Sequence, residues 1–141
     1  MSRIFWDTML FIYLLEGNKK YSHRVRELLE RSYERGDTLL TSYLALGEIM
    51  AGEKHGTTTA SVVRTTIEEM GFSFVSFDGR CLETFRHLRS QSNLRAPDAI
   101  HLACAAAADV DLFLTGDVQL LNRRLHMPGV KFIADFGTPL F

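Results

Sequence analysis

Four acidic residues stand at points where strands and helices of the chain are predicted to meet: Asp7, Glu48, Asp98 and Asp117. They are far apart in the sequence, so only the fold can bring them together. Carboxylates held a few ångströms apart repel one another and retain protons to relieve that repulsion. A divalent cation removes this penalty, and hard oxygen ligands select Mg²⁺, Mn²⁺ or Ca²⁺ over Zn²⁺. We therefore expect the four acids to bind Mg²⁺ or Mn²⁺.

A divalent ion in such a site supports a specific chemistry. It lowers the pKa of a water molecule and stabilises charge on the leaving oxygen of a phosphodiester, while the remaining acids orient or deprotonate the water. The pattern predicts hydrolysis of RNA or single-stranded nucleic acid. The net charge of −1 argues against a protein that coats nucleic acid by bulk attraction. It does not exclude a nuclease, because a metal attracts phosphate locally.

Each acid also has a simpler interpretation. Asp7 and Asp98 are suitable helix caps, and Asp117 is a suitable turn residue. Glu48 is the hardest to explain in this way, because it lies on a largely apolar helix. Spacing permits the four acids to converge but leaves the simpler roles open.

Hydrophobic periodicity predicts the elements that position these acids. The predicted strands are 3–6, 38–41, 72–77, 112–114 and 130–133. The predicted helices are 9–15, 21–35, 44–51, 58–70, 79–91, 96 to about 108, and 118–123. Short apolar strands that alternate with helices predict a mostly parallel sheet covered on both faces, with its site beyond the carboxyl ends of the strands. Asp7 and Asp117 follow strands, and we expect Glu48 and Asp98 in the first turns of helices that start from that edge.

The 141 residues fit one domain spanning 1–141, and a hydrophobic fraction of 46% is ordinary for a globular protein. The N-terminal apolar run is short and is interrupted by Asp7, so we expect no export signal and no membrane span. Cys81 and Cys104 permit a disulfide, but two buried free thiols in a reducing cytoplasm are the favoured interpretation.

Four segments together resemble the PIN-domain ribonucleases, specifically the VapC-type toxins of toxin–antitoxin pairs. The segments are IFWDTMLFIYLLEG, TSYLALGEIMAG, LRAPDAIHLACAAA and LFLTGDVQLLN. They occur in family order and span nearly the whole chain.

The resemblance implies a three-layer α/β/α sandwich with a central, mostly parallel sheet. It also implies Mg²⁺- or Mn²⁺-dependent endoribonuclease activity, homodimerisation and a small antitoxin partner. By position, Asp7, Glu48, Asp98 and Asp117 match the metal-binding and catalytic acids, and Thr8 and Thr115 match neighbouring hydroxyl positions. The sequence departs from the family at Gly116, where asparagine is frequent.

Several other polar residues have less specific patterns. His101 lies one helical turn past Asp98, and a core or partly exposed histidine is favoured over a ligand. His23, His55, His87 and His126 are expected at the surface. Two basic clusters are expected to be solvated helix faces balanced by glutamates, with phosphate contact as the alternative: Lys19, Lys20, Arg24 and Arg26, and Arg86, Arg89 and Arg95.

Two further classes of function remain open. An RNA- or protein-binding module without turnover would keep the fold, although four unneutralised carboxylates argue against it. A phosphotransfer receiver or a phosphatase would use a similar sheet. A receiver needs paired acids after its first strand, and Asp7 stands alone there.

Overall fold

The structure is a computed structural model that describes residues 1–52 and 60–139. Its strands are β1 (Arg3–Trp6), β2 (Thr38–Ser42), β3 (Phe72–Val75), β4 (Val110–Thr115) and β5 (Val130–Asp135). Its α-helices are α1 (Thr8–Glu16), α2 (Ser22–Arg35), α3 (Tyr43–Ala51), α4 (Ala60–Glu69), α5 (Leu82–Gln91), α6 (Ala96–Ala107) and α7 (Val118–Asn122). No helix within these ranges has both the length and the apolarity needed to cross a bilayer.

The five strands form one sheet in the order β3-β2-β1-β4-β5, and every neighbouring pair is parallel. The chain winds outward from β1 to one side through β2 and β3, and then to the other side through β4 and β5. The strand order therefore reverses at β1 and β4, and a crevice opens there beyond their carboxyl ends. The parallel sheet predicted from the alternation of strands and helices is confirmed.

Strand β1 shows how the sequence creates three layers. Successive side chains of a strand point to opposite faces. Ile4 and Trp6 therefore pack with residues of α1 and α2, including Phe11 and Leu28, on one face of the sheet. Phe5 packs on the other face with residues of α5 and α6. Ile4, Phe5 and Trp6 are all buried because helices cover both faces of the sheet, which confirms the α/β/α sandwich.

Helix α6 is central, as its run of small residues predicts. Ala99, Ala103 and Ala105 are fully buried, and their lack of bulk allows the helix to approach the sheet closely. Pro97 lies in its first turn, where a missing N–H is tolerated. The helix thus places Asp98 at the same edge of the sheet where β1 and β4 end.

The structure differs from the predicted elements mainly at their ends. The strand predicted for 72–77 ends at Val75, and the helix predicted from Gly79 begins as a 3-10 turn (Gly79–Cys81) capped by Asp78. Strand β4 begins two residues earlier than predicted, since the Val110 N–H donates to Gly129. The helix predicted for 58–70 is described from Ala60 to Glu69, and its first two positions lie outside the described residues.

Candidate active site

Asp7 lies directly beyond β1, and each of its two carboxylate oxygens accepts a hydrogen bond. Oδ1 accepts a hydrogen bond of 2.7 Å from the Thr8 N–H, so Asp7 also caps α1. Oδ2 accepts a 2.8 Å bond from the Thr115 hydroxyl at the end of β4. The capping role considered for this residue is therefore real. The bond to Thr115 is an additional contact that ties the ends of two neighbouring strands together.

Glu48 extends from α3 toward the same edge. Ser42 begins that helix by accepting a 3.1 Å hydrogen bond from the Ala45 N–H, as its type predicts. Glu48 lies in the second turn, so its expected place in the first turn is wrong. Its Oε1 accepts a 2.7 Å bond from the Thr8 hydroxyl and lies 2.8 Å from Nε2 of His101. The bond to His101 is the main cause that lowers the pKa of Glu48 below 4.5.

Asp98 lies in the first turn of α6, as expected, but it does not cap the helix with its side chain. Burial raises the pKa of Asp98 above 3.8, and the charges of Asp7 and Asp117 raise it further, while nearby Arg95 lowers it. The Arg95 guanidinium lies 3.4 Å from Asp98 Oδ2. The expected repulsion among neighbouring carboxylates thus contributes to the raised pKa of Asp98.

Asp117 is separated from the end of β4 by Gly116 alone, and it caps the short helix α7. Its Oδ1 accepts hydrogen bonds from Gln119 N–H at 2.9 Å and Leu120 N–H at 3.3 Å. The Asp117 N–H in turn donates to the Thr115 hydroxyl oxygen at 3.1 Å. Thr115 therefore links Asp7 and Asp117 through one hydroxyl group.

Gly116 stands beside Asp117, and the structure gives a reason for the absence of a side chain there. A Cβ atom at this position would lie 2.8 Å from Cε1 of Phe136, well inside van der Waals contact. Phe136 is buried against Tyr13 and Tyr21. An asparagine side chain would compete with the Phe136 ring for the same space.

The four acids line one pocket, which we call the acidic pocket. It has a volume of about 520 Å³ and lies at the point where the strand order reverses. Its lining residues are Asp7, Thr8, Met9, Ile12, Glu48, Arg95, Pro97, Asp98, His101, Gly116 and Asp117. The convergence that the spacing allows is therefore what the fold produces. The binding and catalytic roles assigned to these acids remain predictions.

The donor chemistry of the acidic pocket fits a hard divalent cation. Among the hydrogen bonds of the described residues, none is accepted by Glu48 Oε2, Asp98 Oδ1 or Asp117 Oδ2. These oxygens are the donors that Mg²⁺ and Mn²⁺ prefer. The side chains are not already gathered around one point, since no group of three acidic, histidine or cysteine residues within 1–52 and 60–139 encloses a metal position. The pocket thus offers oxygen ligands of the kind that such an ion prefers.

His101 lies in the acidic pocket, which its position one turn past Asp98 allows but does not require. A core or partly exposed histidine is the interpretation that the sequence favours, and the side chain is only 3% exposed. Its ring nevertheless contacts Glu48, Thr8 and Ser42, which makes it part of the site. Its spacing of three residues from Asp98 places both on one face of α6, and this was the available signal.

The remaining polar residues fit the expectations in most cases. His23, His87 and His126 are exposed, and His55 lies outside the described residues. In the basic clusters, Arg24 pairs with Glu27 and Arg86 with Glu83, as expected for solvated helix faces. Arg95 differs, because it lines the acidic pocket.

Cys81 and Cys104 are both buried and free, in agreement with the favoured interpretation of the two thiols. Burial, together with the neighbouring Cys81, raises the pKa of Cys104 to about 12. The Cys104 thiol is therefore protonated at neutral pH and is a poor nucleophile.

Comparison with known proteins agrees with this architecture. The PIN domain family matches residues 4–124, which is most of the chain. No curated protein matches it at a significant level.

Solved structures of the same fold come from toxin–antitoxin complexes. A chain of VapBC2 from Rickettsia felis, bound to a DNA fragment from their promoter, matches with a TM-score of 0.69 and 16% identity, over 94% of this chain and 98% of that chain. A chain of DNA-bound VapBC from Salmonella typhimurium matches with a TM-score of 0.67 and 17% identity, over 96% of this chain and 99% of that chain. A chain of a toxin–antitoxin complex from Klebsiella pneumoniae matches with a TM-score of 0.62 and 22% identity, over 90% of this chain and 94% of that chain. At these identities the likeness is one of fold.

Proposed function

We propose, because this chain belongs to the PIN-domain family, that it is a divalent-metal-dependent endoribonuclease with its active site in the acidic pocket. One observation carries the proposal: four carboxylates from separate parts of the chain line one pocket where the strand order reverses. Asp7 and Asp117 double as helix caps, but capping does not explain Glu48 and Asp98. The repulsion that raises the pKa of Asp98 is what a bound cation would relieve.

Asp7, Glu48, Asp98 and Asp117 would hold Mg²⁺ or Mn²⁺ through their carboxylate oxygens. When bound, such an ion lowers the pKa of water and offsets negative charge on a phosphodiester. The chain's own residues prepare the site for it. Thr115 and Thr8 orient Asp7 and Glu48 by donating hydrogen bonds to them, so less side-chain freedom is lost when the ligands assemble.

The protonation states of the acids suit this role. Hydrogen bonding to His101 and Thr8 keeps Glu48 ionised at neutral pH and available as an acceptor or ligand. Burial and the charges of Asp7 and Asp117 raise the pKa of Asp98, so this carboxylate gains most from a nearby positive charge. The exposed guanidinium of Arg95 stands at the rim of the pocket, where it can meet a substrate phosphate.

RNA cleavage with and without metal tests the proposal. Purified protein is incubated with transfer and messenger RNA in Mn²⁺, in Mg²⁺ and in EDTA. We expect cleavage only with a divalent ion, and a loss of about 10²-fold or more in Asp7→Asn, Glu48→Gln, Asp98→Asn and Asp117→Asn. Glu68→Gln is the matched control, because this exposed glutamate pairs with Arg64 on α4. Cleavage that persists in EDTA would refute metal dependence.

An RNA- or protein-binding module without turnover is the second candidate. It would use the same fold and the same acidic pocket as the nuclease, without cleavage. This module would retain RNA on a filter, and Mn²⁺ would change neither the retention nor the length of the RNA. Release of shortened RNA in Mn²⁺ excludes it.

We further propose that the protein is the toxin of a toxin–antitoxin pair, acts in the cytoplasm, forms a homodimer and binds a small antitoxin. Support comes from the shared fold with chains of VapBC complexes and from Met9 and Leu15, which leave apolar surface exposed on α1. Co-expression with the neighbouring reading frame tests the partner. We expect co-purification and inhibited cleavage, and sedimentation of the isolated protein as a dimer.

A further inference from the structure

The buried ring of His101 takes no direct part in the proposed reaction. It lies on α6 between the helix that carries Glu48 and the end of β2. Nδ1 is 2.9 Å from the Ser42 hydroxyl oxygen, and Nε2 is 2.8 Å from Glu48 Oε1. A fully buried ring with a polar partner on each nitrogen is held in a single orientation.

The partners of the two ring nitrogens determine which of them carries the proton in the neutral ring. Ser42 Oγ accepts a hydrogen bond from the Ala45 N–H, and its hydroxyl proton is free to be donated to Nδ1 of His101. Because Ser42 Oγ has a second lone pair, Ser42 permits either tautomer, and the contact of Nε2 with Glu48 decides for a protonated Nε2. A protonated Nε2 suits its contact with Glu48, because an ionised carboxylate only accepts hydrogen bonds.

The opposite tautomer would be unfavourable. A proton on Nδ1 would leave the lone pair of Nε2 facing Glu48 Oε1 at 2.8 Å, with two acceptors in contact and no hydrogen between them. Phe5 packs against the imidazole with its ring centroid 6.5 Å away in an edge-on arrangement, which limits rotation of the ring. The contact with Glu48 thus selects the proton position, and the Ser42 hydroxyl is a suitable donor to the other nitrogen.

We propose that His101 is a positioning residue, which holds Glu48 through a protonated Nε2 and accepts a hydrogen bond from the Ser42 hydroxyl at Nδ1. The inference rests on the proposed function of the acidic pocket, because it concerns the acid that would bind the metal. A nitrogen that carries a proton has no lone pair to coordinate a cation, so His101 is not itself a ligand. It acts on the metal through Glu48, as residues behind metal ligands commonly do.

Metal-free protein with ¹⁵N-labelled histidine tests the tautomer without any variant. We expect the nitrogen resonances of the neutral His101 ring to show a protonated Nε2 and an unprotonated Nδ1. Addition of Mg²⁺ should leave Nε2 protonated. A protonated Nδ1, or loss of the Nε2 proton on addition of Mg²⁺, would overturn the proposal.

Two variants separate positioning from packing. Glutamine places an amide NH₂ near the position of Nε2, whereas asparagine places it near Nδ1. We expect His101→Asn to weaken Mn²⁺ binding by about 10–100-fold in calorimetry, and His101→Gln to remain within about threefold of the wild type. Equal Mn²⁺ affinity in wild type and His101→Asn would refute the positioning role.

The two readouts keep the inference separate from the proposed function. If the wild type binds no Mn²⁺, the proposed function fails, while the nitrogen resonances still report the hydrogen bond to Glu48. If the wild type binds Mn²⁺ and cleaves RNA but Nδ1 carries the proton, the enzyme stands and the positioning role fails. A Ser42→Ala variant should keep Nε2 protonated and shift the Nδ1 resonance, because Nδ1 loses its hydrogen-bond donor. An unchanged Nδ1 resonance would count against the part assigned to Ser42.

Discussion

The Thr115 hydroxyl donates a 2.8 Å hydrogen bond to Oδ2 of Asp7, although 108 residues separate the two in the chain. Both side chains are buried at the adjoining ends of β1 and β4. The same hydroxyl oxygen accepts a hydrogen bond from the Asp117 N–H. One hydroxyl group therefore fixes the relative positions of two of the four acids, and its removal should disturb the site more than the fold.

We expect Thr115→Val, which keeps the shape and removes the hydroxyl, to weaken Mn²⁺ affinity by about 10–100-fold. The free energy of unfolding should fall by about 1–3 kcal/mol, because Asp7 Oδ2 and the Asp117 N–H lose a buried partner. Thr115→Ser keeps the donor and should retain metal affinity. Calorimetry with Mn²⁺ and urea unfolding measure the two effects. Equal Mn²⁺ affinity in the valine and serine variants would contradict this interpretation.

Most of the architecture could be predicted from the sequence because strong local signals agreed with one another. Apolar runs such as Arg3–Trp6 gave the strands, and glycine or capping residues such as Ser42 marked the helix ends. Parallel strands then placed Asp7 and Asp117 at one edge. The convergence of Glu48 and Asp98 followed from the direction of their helices.

The details that escaped prediction depend on contacts between distant residues. The strand predicted to reach Phe77 ends at Val75, the last residue of β3 that pairs with β2. The contact between His101 and Glu48 requires the crossing of α3 and α6, which periodicity does not encode. The reason for Gly116 is the ring of Phe136, twenty residues later in the chain.

Gly116→Ala should destabilise the protein, because the new Cβ would meet the Phe136 ring at 2.8 Å. The ring is packed against Tyr13 and Tyr21 and has little room to move. We expect a loss of about 1–3 kcal/mol in the free energy of unfolding.

Gly47→Ala is the matched control, since a Cβ there meets nothing within 4 Å. Gly47 is an exposed residue inside α3, so the substitution should stabilise the protein by about 0.5–1 kcal/mol. A double variant that combines Gly116→Ala with Phe136→Leu should lose less than the sum of the two single losses. Additive losses would show that the close approach of the ring is not the cause.

Arg95 should contribute to RNA affinity without distinguishing sequences, because an exposed arginine at the rim of an acidic pocket contacts phosphate rather than bases. We expect Arg95→Ala to weaken binding in EDTA and to reduce the slope of log affinity against log salt by about 1. Arg31→Ala on α2 is the control, since Arg31 lies outside the pocket lining and faces Glu27. Salt slopes that are the same in wild type and Arg95→Ala would exclude this contact.

Asp98 should lower the stability of the metal-free protein at neutral pH, because burial and the charges of Asp7 and Asp117 raise its pKa above 3.8. The unfolded chain then releases this proton more readily than the folded protein does. Above the folded pKa the ionised group disfavours folding, and below pH 3.8 both states hold the proton and the effect vanishes. Asp98→Asn should therefore raise the Tm by a few degrees at pH 7, and the gain should disappear on acidification.

Mn²⁺ should reverse the order of stability of the wild type and Asp98→Asn, since only the aspartate contributes a charged ligand. A ligand at one hundred times its Kd stabilises the folded state by about 2.7 kcal/mol, so the wild type should become the more stable protein in saturating Mn²⁺. Asp111→Asn is a control for which the opposite effect is expected. Lys131 and the Arg3 N–H lower the pKa of Asp111, so the loss of this carboxylate should lower the Tm at pH 7. If Asp98→Asn is as strongly stabilised by Mn²⁺ as the wild type, the ion is bound without this carboxylate.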